Sequence, residues 1–566
     1  MNGLAAELDP WREPFGLAAA DVHLAATLGR LGGESRPAVL LAAALAARAP
    51  RLGDVCADLR GLESGPPFAE WCAALATSPL VEGDDAPLVV RNAHVYLQRY
   101  HAYELAVATH LRAFAAARVA TIDADLGLLD TVFDGRLSAE QRAVVAGAAH
   151  RGLTVLVGGP GTGKTTTVAA LLATVARSLG SLRIALIAPT GKAAARLGEA
   201  FREAAAQLPA DVATALAAVE TSTIHRLLGA MGDSSSRFRH HREHPLPHDV
   251  VIVDESSMVS LPLMAHLLDA VRRDARVVLV GDPGQLASVE AGSVLADVAA
   301  SAAALDGCVT ELTQSRRFPP GSPVDVLAQA IGAGDTAAAR TVLAAPDSPL
   351  ADAGAVRWHP QAEAAVDAVR AVIEPVTVAV ADAAAAGDAV AALDHLAAAR
   401  VLCAHRHGSM GVERWNERVE SWLAATGRAA TGWYAGRPVM ITANDYRLGL
   451  FNGDVGVVVH LDGRPMVAFP ASGGPYLVAP SRLERFETVH AMTIHKSQGS
   501  EFDHAVVVLP PVGSRLASRE LLYTAVTRAR RLVTVLGSAE ALDEVVSRRT
   551  QRASGLAEML RARPAD

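Results

Sequence analysis

A chain of 566 residues with 51% hydrophobic and 20% charged side chains can build several domains with separate cores, which excludes an intrinsically disordered protein. No apolar run reaches membrane-span length, no basic-then-apolar leader opens the chain, and the four cysteines (Cys56, Cys72, Cys308, Cys403) form no CxxC pair; the expectation is a soluble, cytoplasmic protein without structural zinc or disulfides. A net charge of -8 leaves a nucleic-acid partner open, because a groove needs only a local excess of positive charge.

Residues 1–136 hold 11 arginines against 17 acids and so carry most of that deficit. Residues 1–120 are helical in pattern, as in Ala38 to Ala47 and Ala102 to Ala116, and contain Trp11, Trp71, Tyr96, Tyr100 and Tyr103 without a cluster of catalytic residue types. They predict a helical N-terminal domain that does not touch phosphates.

Leu137 to Ala149 reads as a helix capped by Ser138, with Gln141 completing a capping box. Short β-rich runs at 153–157, 183–188, 249–254 and 275–282 then alternate with helical segments. That alternation predicts an α/β domain with a doubly wound parallel sheet over 137–320, carrying a small insertion around 200–248. Within the insertion, DSSSRFRHHREHPLPH at 233–248 predicts a mobile, locally basic loop, since its four histidines lack ligand spacing. A second α/β domain is expected over 321–435 and 486–566, with strands near Val401, at 503–510 and at 532–537. Short strands and glycine turns at 436–485 predict a small β-barrel inserted into it.

GGPGTGKTT, from Gly158 to Thr166, follows an apolar strand and opens a helix. Gly158, Gly163, Lys164 and Thr165 match the phosphate-loop pattern. Backbone N–H groups of Gly158, Gly159, Pro160's neighbours Gly161 and Thr162, and Gly163 to Thr166 can surround phosphate oxygens, which the helix N-terminus also favours. Lys164 suits the β- and γ-phosphates of ATP, and Thr165 suits Mg²⁺. In VVIVDESS, Asp254 and Glu255 end a buried strand, where charge is costly unless used. Asp254 suits a direct or indirect hold on Mg²⁺, and Glu255 suits the base for an attacking water, so the reaction predicted is hydrolysis. GDPGQL offers Gln285 as a γ-phosphate sensor, a weak signal because Asp-Pro-Gly is also an ordinary turn.

Of 52 basic side chains only three are lysine: Lys164, Lys192 and Lys496. A composition that turns lysine into arginine predicts that the three survivors sit where a compact ammonium is needed. Arg317 in ELTQSRRF and Arg528 in LLYTAVTRARR are candidates for completing the site across a cleft. Charge alone cannot single out two of 49 arginines.

In order along Leu137 to Arg531, these segments resemble the superfamily 1 helicases and, within them, the RecD group. LSAEQRAVV looks like the adenine-reading motif, which implies Gln141 as an ATP contact. GGPGTGKTT and VVIVDESSMV resemble motifs I and II. APTGKAAARL (Thr190, Lys192) and TSTIHRLLG (Thr223, His225) are similar to the DNA-contacting motifs Ia and Ib. GDPGQLASVEAG, LTQSRRF, TIHKSQGSEFD and LLYTAVTRARR resemble motifs III to VI. The resemblance implies two γ-phosphate arginines, Arg317 and Arg528, places Gly499 and Glu501 near the nucleotide, and puts Thr493, His495 and Lys496 near DNA. It also implies two RecA-like P-loop motor domains, an SH3-like β insertion, and an ATP- and Mg²⁺-dependent motor moving 5′ to 3′ on single-stranded DNA from duplex ends.

QLASVEAG and the acidic N-terminal domain resemble the RecD subunit of RecBCD, which implies docking of that domain on RecB- and RecC-like partners in break repair and recombination. The alternative is a stand-alone RecD-like 5′-to-3′ helicase. No nuclease-like cluster of acids and lysine is visible, so any cutting is expected from a partner. For the aromatic that stacks on bases, Phe318, Tyr446 and Phe451 stand equal.

Overall fold

The computed structural model describes residues 3–562 except 63, 84, 120–126, 128, 130–132, 134, 136, 180–182, 207–212, 214–218, 232–236, 345–354, 446 and 472. Among the described residues no helix is long and apolar enough to cross a membrane.

The N-terminal region is not wholly helical. Beside helices Ala19–Gly32, Pro37–Arg48, Phe68–Ala76 and Gln98–Ala116 it holds an antiparallel sheet of β1 (Ala57–Asp58), β2 (Leu88–Arg91) and β3 (His94–Leu97), in the order β1-β3-β2. A two-residue turn joins β2 to β3, and Asn92 takes φ 55° there; asparagine tolerates the left-handed region, but without a glycine the hairpin left little mark in the sequence. Trp71 is fully buried and donates Nε1–H to Ala38 O at 3.0 Å, which locks the third helix onto the second. Helix Gln98–Ala116 belongs as much to the next domain: its Val107, Leu111 and Phe114 join the core beneath that domain's sheet.

That sheet has six parallel strands, β4 (Leu153–Gly158), β5 (Ile184–Ala188), β6 (Glu220–Thr223), β7 (Val250–Val253), β8 (Arg276–Gly281) and β9 (Val309–Leu312), in the order β6-β5-β7-β8-β4-β9. β4, β5, β7 and β8 are buried at every residue. Helices on both faces explain why they read as continuous apolar runs rather than alternating ones. The region around 200–248 is not one insertion. Its middle supplies β6, the edge strand, whose short polar sequence ETST hid it from pattern reading.

The second α/β sheet is also parallel: β10 (Ala355–His359), β11 (Ala399–Cys403), β17 (Ala491–Thr493), β18 (Phe502–Val508) and β19 (Ala529–Leu536), in the order β10-β19-β18-β11-β17. The insertion is a five-stranded antiparallel sheet of β12 (Pro438–Ile441), β13 (Val455–Leu461), β14 (Arg464–Phe469), β15 (Tyr476–Val478) and β16 (Phe486–Thr488), ordered β15-β14-β13-β12-β16. Its hydrogen-bonded pairs form an open order rather than a closed barrel. It also runs three residues past the expected boundary, because β16 completes the sheet beside β12.

The C-terminal segment departs furthest from expectation. After helix Ala539–Ser547 the chain leaves the second α/β domain and crosses back to the first and to the N-terminal region. Val55 N–H donates to Ala553 O at 2.8 Å, Arg561 Nη2 donates to Ala300 O at 2.8 Å, and Leu556 and Leu560 enter the core shared with helix Gln98–Ala116. The apolar face of helix Leu556–Arg561 finds its partner there, far along the chain.

Candidate functional site: a cleft between two α/β domains

The C-terminal ends of β4, β7 and β8 face the second α/β domain, where ligands bind in open parallel sheets. From β4 the chain enters the phosphate loop, with Gly161 at φ 77° and Gly163 at φ 84°. Side chains would be strained at both, and a Cβ on Gly161 would lie 2.4 Å from Arg317 Cβ. Helix Lys164–Leu179 follows. Lys164 Nζ donates to Gly158 O at 2.7 Å and Gly159 O at 2.9 Å, folded into the loop it would share with a phosphate.

Gln141 lies against this loop from below. Its Oε1 accepts from Ser138 N at 2.9 Å while Ser138 Oγ accepts from Gln141 N at 3.2 Å, the expected capping box. Its Nε2 donates to Gly163 O at 3.3 Å and Thr162 O at 3.4 Å. The amide therefore holds the loop's backbone, a positioning contact beyond the adenine reading implied by resemblance.

At the end of β7, Asp254 N–H donates to Ile187 O and Asp254 Oδ1 accepts from Glu255 N at 2.9 Å. Glu255 takes φ 51°, a left-handed conformation that costs energy for a residue with a Cβ and sets its direction into the cleft. Burial, and then the charge of Glu255, push the Asp254 carboxyl up to about 6, against the pull of Lys164. A cation would relieve that frustration. Thr165 hydroxyl and Asp254 carboxylate are the hard oxygen donors Mg²⁺ prefers when substrate phosphates supply the rest of its shell.

Two groups not singled out from sequence join them. Asp282, 4% exposed at the end of β8, accepts from Gln285 Nε2 at 2.9 Å and Gly284 N at 2.9 Å, and burial raises its carboxyl despite nearby Lys164. Tyr523 faces Asp282 from the opposite domain, and burial and then the charge of Asp282 push its phenol up. The Asp282 signal was present as an acid ending a buried strand, obscured by the Asp-Pro-Gly turn.

Arginines close the cleft, Arg528 from the second domain and Arg317 from the segment that follows β9. Arg528, 4% exposed, donates from Nη2 to Gln285 Oε1 at 2.9 Å and from Nε to Thr524 O at 3.1 Å. Arg317 donates to Thr527 O at 3.0 Å and pairs with Glu501 at 2.6 Å. Glu501 also pairs with Arg196 and with Arg530, and these guanidinium groups hold its carboxyl down to about 2 against the effect of burial. Gly499, at φ 72°, accepts at its carbonyl from Arg196 Nη1 at 2.9 Å. The expected set Lys164, Asp254, Glu255, Gln285, Arg317, Arg528 and Glu501 is thus gathered at one interface.

The expected DNA-contacting residues divide. Thr190, Thr223 and Thr493 are caps: their Oγ1 atoms accept from the backbone N–H of Ala193, Arg226 and Lys496 at 3.2, 3.2 and 3.3 Å. Each hydroxyl keeps its own proton for an outside acceptor. Burial lowers the pKa of His225 and His495, which makes them neutral partners rather than cations. Lys192 is turned to protein, donating to Ser500 Oγ at 2.5 Å and Gly453 O at 3.2 Å at a junction of both motor domains and the inserted sheet. Burial brings its ammonium down to about 8. Lys496 pairs with Glu487.

Of the aromatic candidates, Phe318 is buried in the second domain's core. Phe451 packs its ring over Gly191, and Tyr446 lies outside the described residues. Val289, in the loop that follows β8, is an exposed apolar side chain at 82%.

Residues 15–96 match the family model for the RecBCD enzyme subunit RecD N-terminal domain, 136–348 an AAA domain, and 488–536 a UvrD-like helicase C-terminal domain. The RecBCD enzyme subunit RecD of Mycolicibacterium smegmatis is 47% identical over 559 residues, covering 96% of this chain and 97% of that protein. The chain belongs to the RecD family of superfamily 1 DNA helicases. The Mycobacterium tuberculosis RecD is 45% identical over 554 residues, 95% of this chain and 94% of that one. The ATP-dependent RecD2 DNA helicase of Deinococcus radiodurans is 34% identical over 436 residues, 75% of this chain and 53% of that protein. End-to-end coverage thus favours the RecBCD-subunit type over the stand-alone type. As a member of this family, the protein is an ATP-dependent DNA helicase.

Proposed function

We propose that this chain is the RecD-type motor of a RecBCD-like helicase–nuclease, translocating 5′ to 3′ on single-stranded DNA at duplex ends by hydrolysing ATP. The observation that carries the reading is the hydrogen bond from Arg528 to Gln285 across the cleft: the groups that would sense and neutralise a γ-phosphate sit on opposite domains and already touch. Lys164 binds the β- and γ-phosphates, the backbone of Gly159 to Thr166 surrounds them, and Glu255 orients and deprotonates the attacking water. Arg317 and Arg528 neutralise charge spreading onto the transferred group, an effect on the order of 10³ to 10⁵ in rate. Thr165 and Asp254 would hold Mg²⁺, which would supply further neutralisation of the phosphate oxygens.

ATP draws the domains together and its loss lets them part, because Gln285, Arg317 and Arg528 contact the γ-phosphate only while it is present. Alternate grip by Thr190, Thr223 and His225 on one domain and Thr493, His495 and Lys496 on the other turns each cycle into a step. These are backbone contacts with little sequence preference. The acidic N-terminal domain docks on RecB- and RecC-like subunits, and the inserted sheet serves as the SH3-like module of this branch, acting in break repair and recombination in the cytoplasm.

The test is ATP turnover with and without oligo-dT, beside unwinding of duplexes tailed at the 5′ or the 3′ end. Stimulation by single strand and unwinding from the 5′ tail alone are expected. Lys164→Gln must abolish both; turnover near wild type in that variant, or unwinding from the 3′ tail, would sink the reading.

A further inference from the structure

Of residues 233–248, expected as a mobile, locally basic loop, 233–236 lie outside the described residues and 237–248 are tied down. Arg239 N–H donates to Gly229 O and His240 N–H to Leu228 O, both at 3.0 Å; His241 and His244 exchange backbone hydrogen bonds; and Leu246, 1% exposed, donates N–H to Ala270 O at 2.8 Å. Phe238 points inward between the rings of His225 and His266, at 5.9 and 5.2 Å. Between this segment, the edge strand β6 and helix Ile224–Leu228 lies an open cleft lined by Thr221, Ser222, Arg226, Arg239, His240 and His244.

Its charge is uncompensated. Arg226, Arg237 and Arg239 are exposed and make no ion pair among the described residues, whereas neighbouring Arg242 pairs with Asp269 at 3.1 Å and Arg272 with Asp249 at 2.8 Å. The segment has a single acid, Glu243. The guanidinium groups of Arg226 and Arg239, without an ion pair among the described residues, stand on a braced scaffold beside the hydroxyls of Thr221 and Ser222 and form a preorganised receptor for an anion of extended shape.

We propose that this cleft binds the phosphodiester backbone of duplex DNA next to the motor's single-strand track, a proposal that rests on the DNA-motor reading above. Two observations favour duplex over single strand. Single-strand grooves offer aromatic faces to bases, and here Phe238 is turned inward while His240 and His244 stack on each other at 4.9 Å and 14°. Arginine and hydroxyl donors in a lining without Phe, Tyr or Trp are what phosphate contacts on a duplex use. The cleft is also continuous with the track, since Arg226 follows Thr223 and His225 on the same helix.

The test is a salt titration of full-length wild type and R226Q/R239Q on a blunt duplex and on oligo-dT, without nucleotide. For the variant, the slope of log K against log salt on the duplex is expected to fall by about two, with the oligo-dT slope and oligo-dT-stimulated ATP turnover unchanged. R226K/R239K should restore the duplex slope, and the single change Arg226→Gln, at an exposed position, should lower it by about one. An unchanged duplex slope in the folded variants overturns the proposal. So does an equal fall on oligo-dT, which would assign the cleft to the single-strand track. Failure of wild type to hydrolyse ATP on oligo-dT would count against the motor reading, while the nucleotide-free duplex titration would still decide the cleft.

Discussion

Arg528 Nη2 and Gln285 Oε1 are joined by a 2.9 Å hydrogen bond between the two motor domains, and both side chains are buried. Gln285 is held in turn by Asp282 at 2.9 Å, and Asp282 lies in the field of Lys164. A relay therefore runs from Lys164 of one domain to Arg528 of the other within the cleft between them. Arg528→Lys, which removes the planar fork, should lower kcat by about 10³-fold with nucleotide affinity changed by less than about tenfold. Gln285→Ala removes a charge-assisted hydrogen bond and should cost about ten- to a hundredfold in kcat. Turnover assays beside equilibrium binding of a fluorescent nucleotide check both; a loss confined to affinity would show that the pair is structural.

Glu501 gathers Arg196 from the first domain with Arg317 and Arg530, and its carboxyl lies at about 2 against an ordinary 4.5. A lowered pKa means the contribution is complete above about 4.5 and lost as pH falls through about 2; its size at neutral pH is on the order of 3 kcal/mol. Glu501→Gln should therefore lower the melting temperature at pH 7, and the gap from wild type should narrow steadily toward pH 3. Calorimetric scans across that range test this, and a gap independent of pH would mean that the loss comes from packing.

The chemistry-bearing segments were legible because their residue types have few other uses: a glycine loop ending in Lys164, two acids ending a buried strand at Asp254 and Glu255, and lysines in a chain that otherwise uses arginine. The strands around them were legible as apolar runs. What escaped has a common cause, which is dependence on distant partners. β6 is a polar edge strand recognisable only beside β5. Asp282 gains meaning from Gln285 and Tyr523, and helix Leu556–Arg561 from a core begun some 450 residues earlier. Lys192 was located by composition as special, but its partners Ser500 and Gly453 lie about 300 and 260 residues away.

Lys496 shares its charge with Glu487, which also faces Arg406 at 3.5 Å. On the motor reading, a phosphate must compete with that carboxylate. Lys496→Ala should lower the salt slope of single-strand binding by less than one contact, and Glu487→Gln should tighten binding to oligo-dT several-fold. Anisotropy titrations at two salt concentrations read both effects; weaker binding by Glu487→Gln would show that the carboxylate positions the lysine.

Ser554 Oγ lies 2.7 Å from Glu104 Oε1 and 2.9 Å from Asp297 Oδ2, joining the C-terminal segment to the helix Gln98–Ala116 and to the first motor domain. A hydroxyl has one proton to donate, so satisfying both contacts requires one of the two acids to carry a proton itself. Burial provides for this by raising Glu104 to about 7 and Asp297 to about 6, from ordinary values of 4.5 and 3.8. Raised acids hold their protons in the folded state, so this contribution is complete below about pH 4 and is lost as pH rises through 6 to 7. The docked segment should loosen between pH 6 and pH 8, seen as faster hydrogen exchange over residues 553–562 after correction for the intrinsic rate. Asp297→Asn supplies a permanent N–H donor to Ser554 Oγ and should flatten that change. Equal protection of wild type at both pH values would mean that the two carboxylates are accommodated while ionised, and that the junction is held by its other contacts, among them Val55 to Ala553, Arg561 to Ala300 and the buried Leu556 and Leu560.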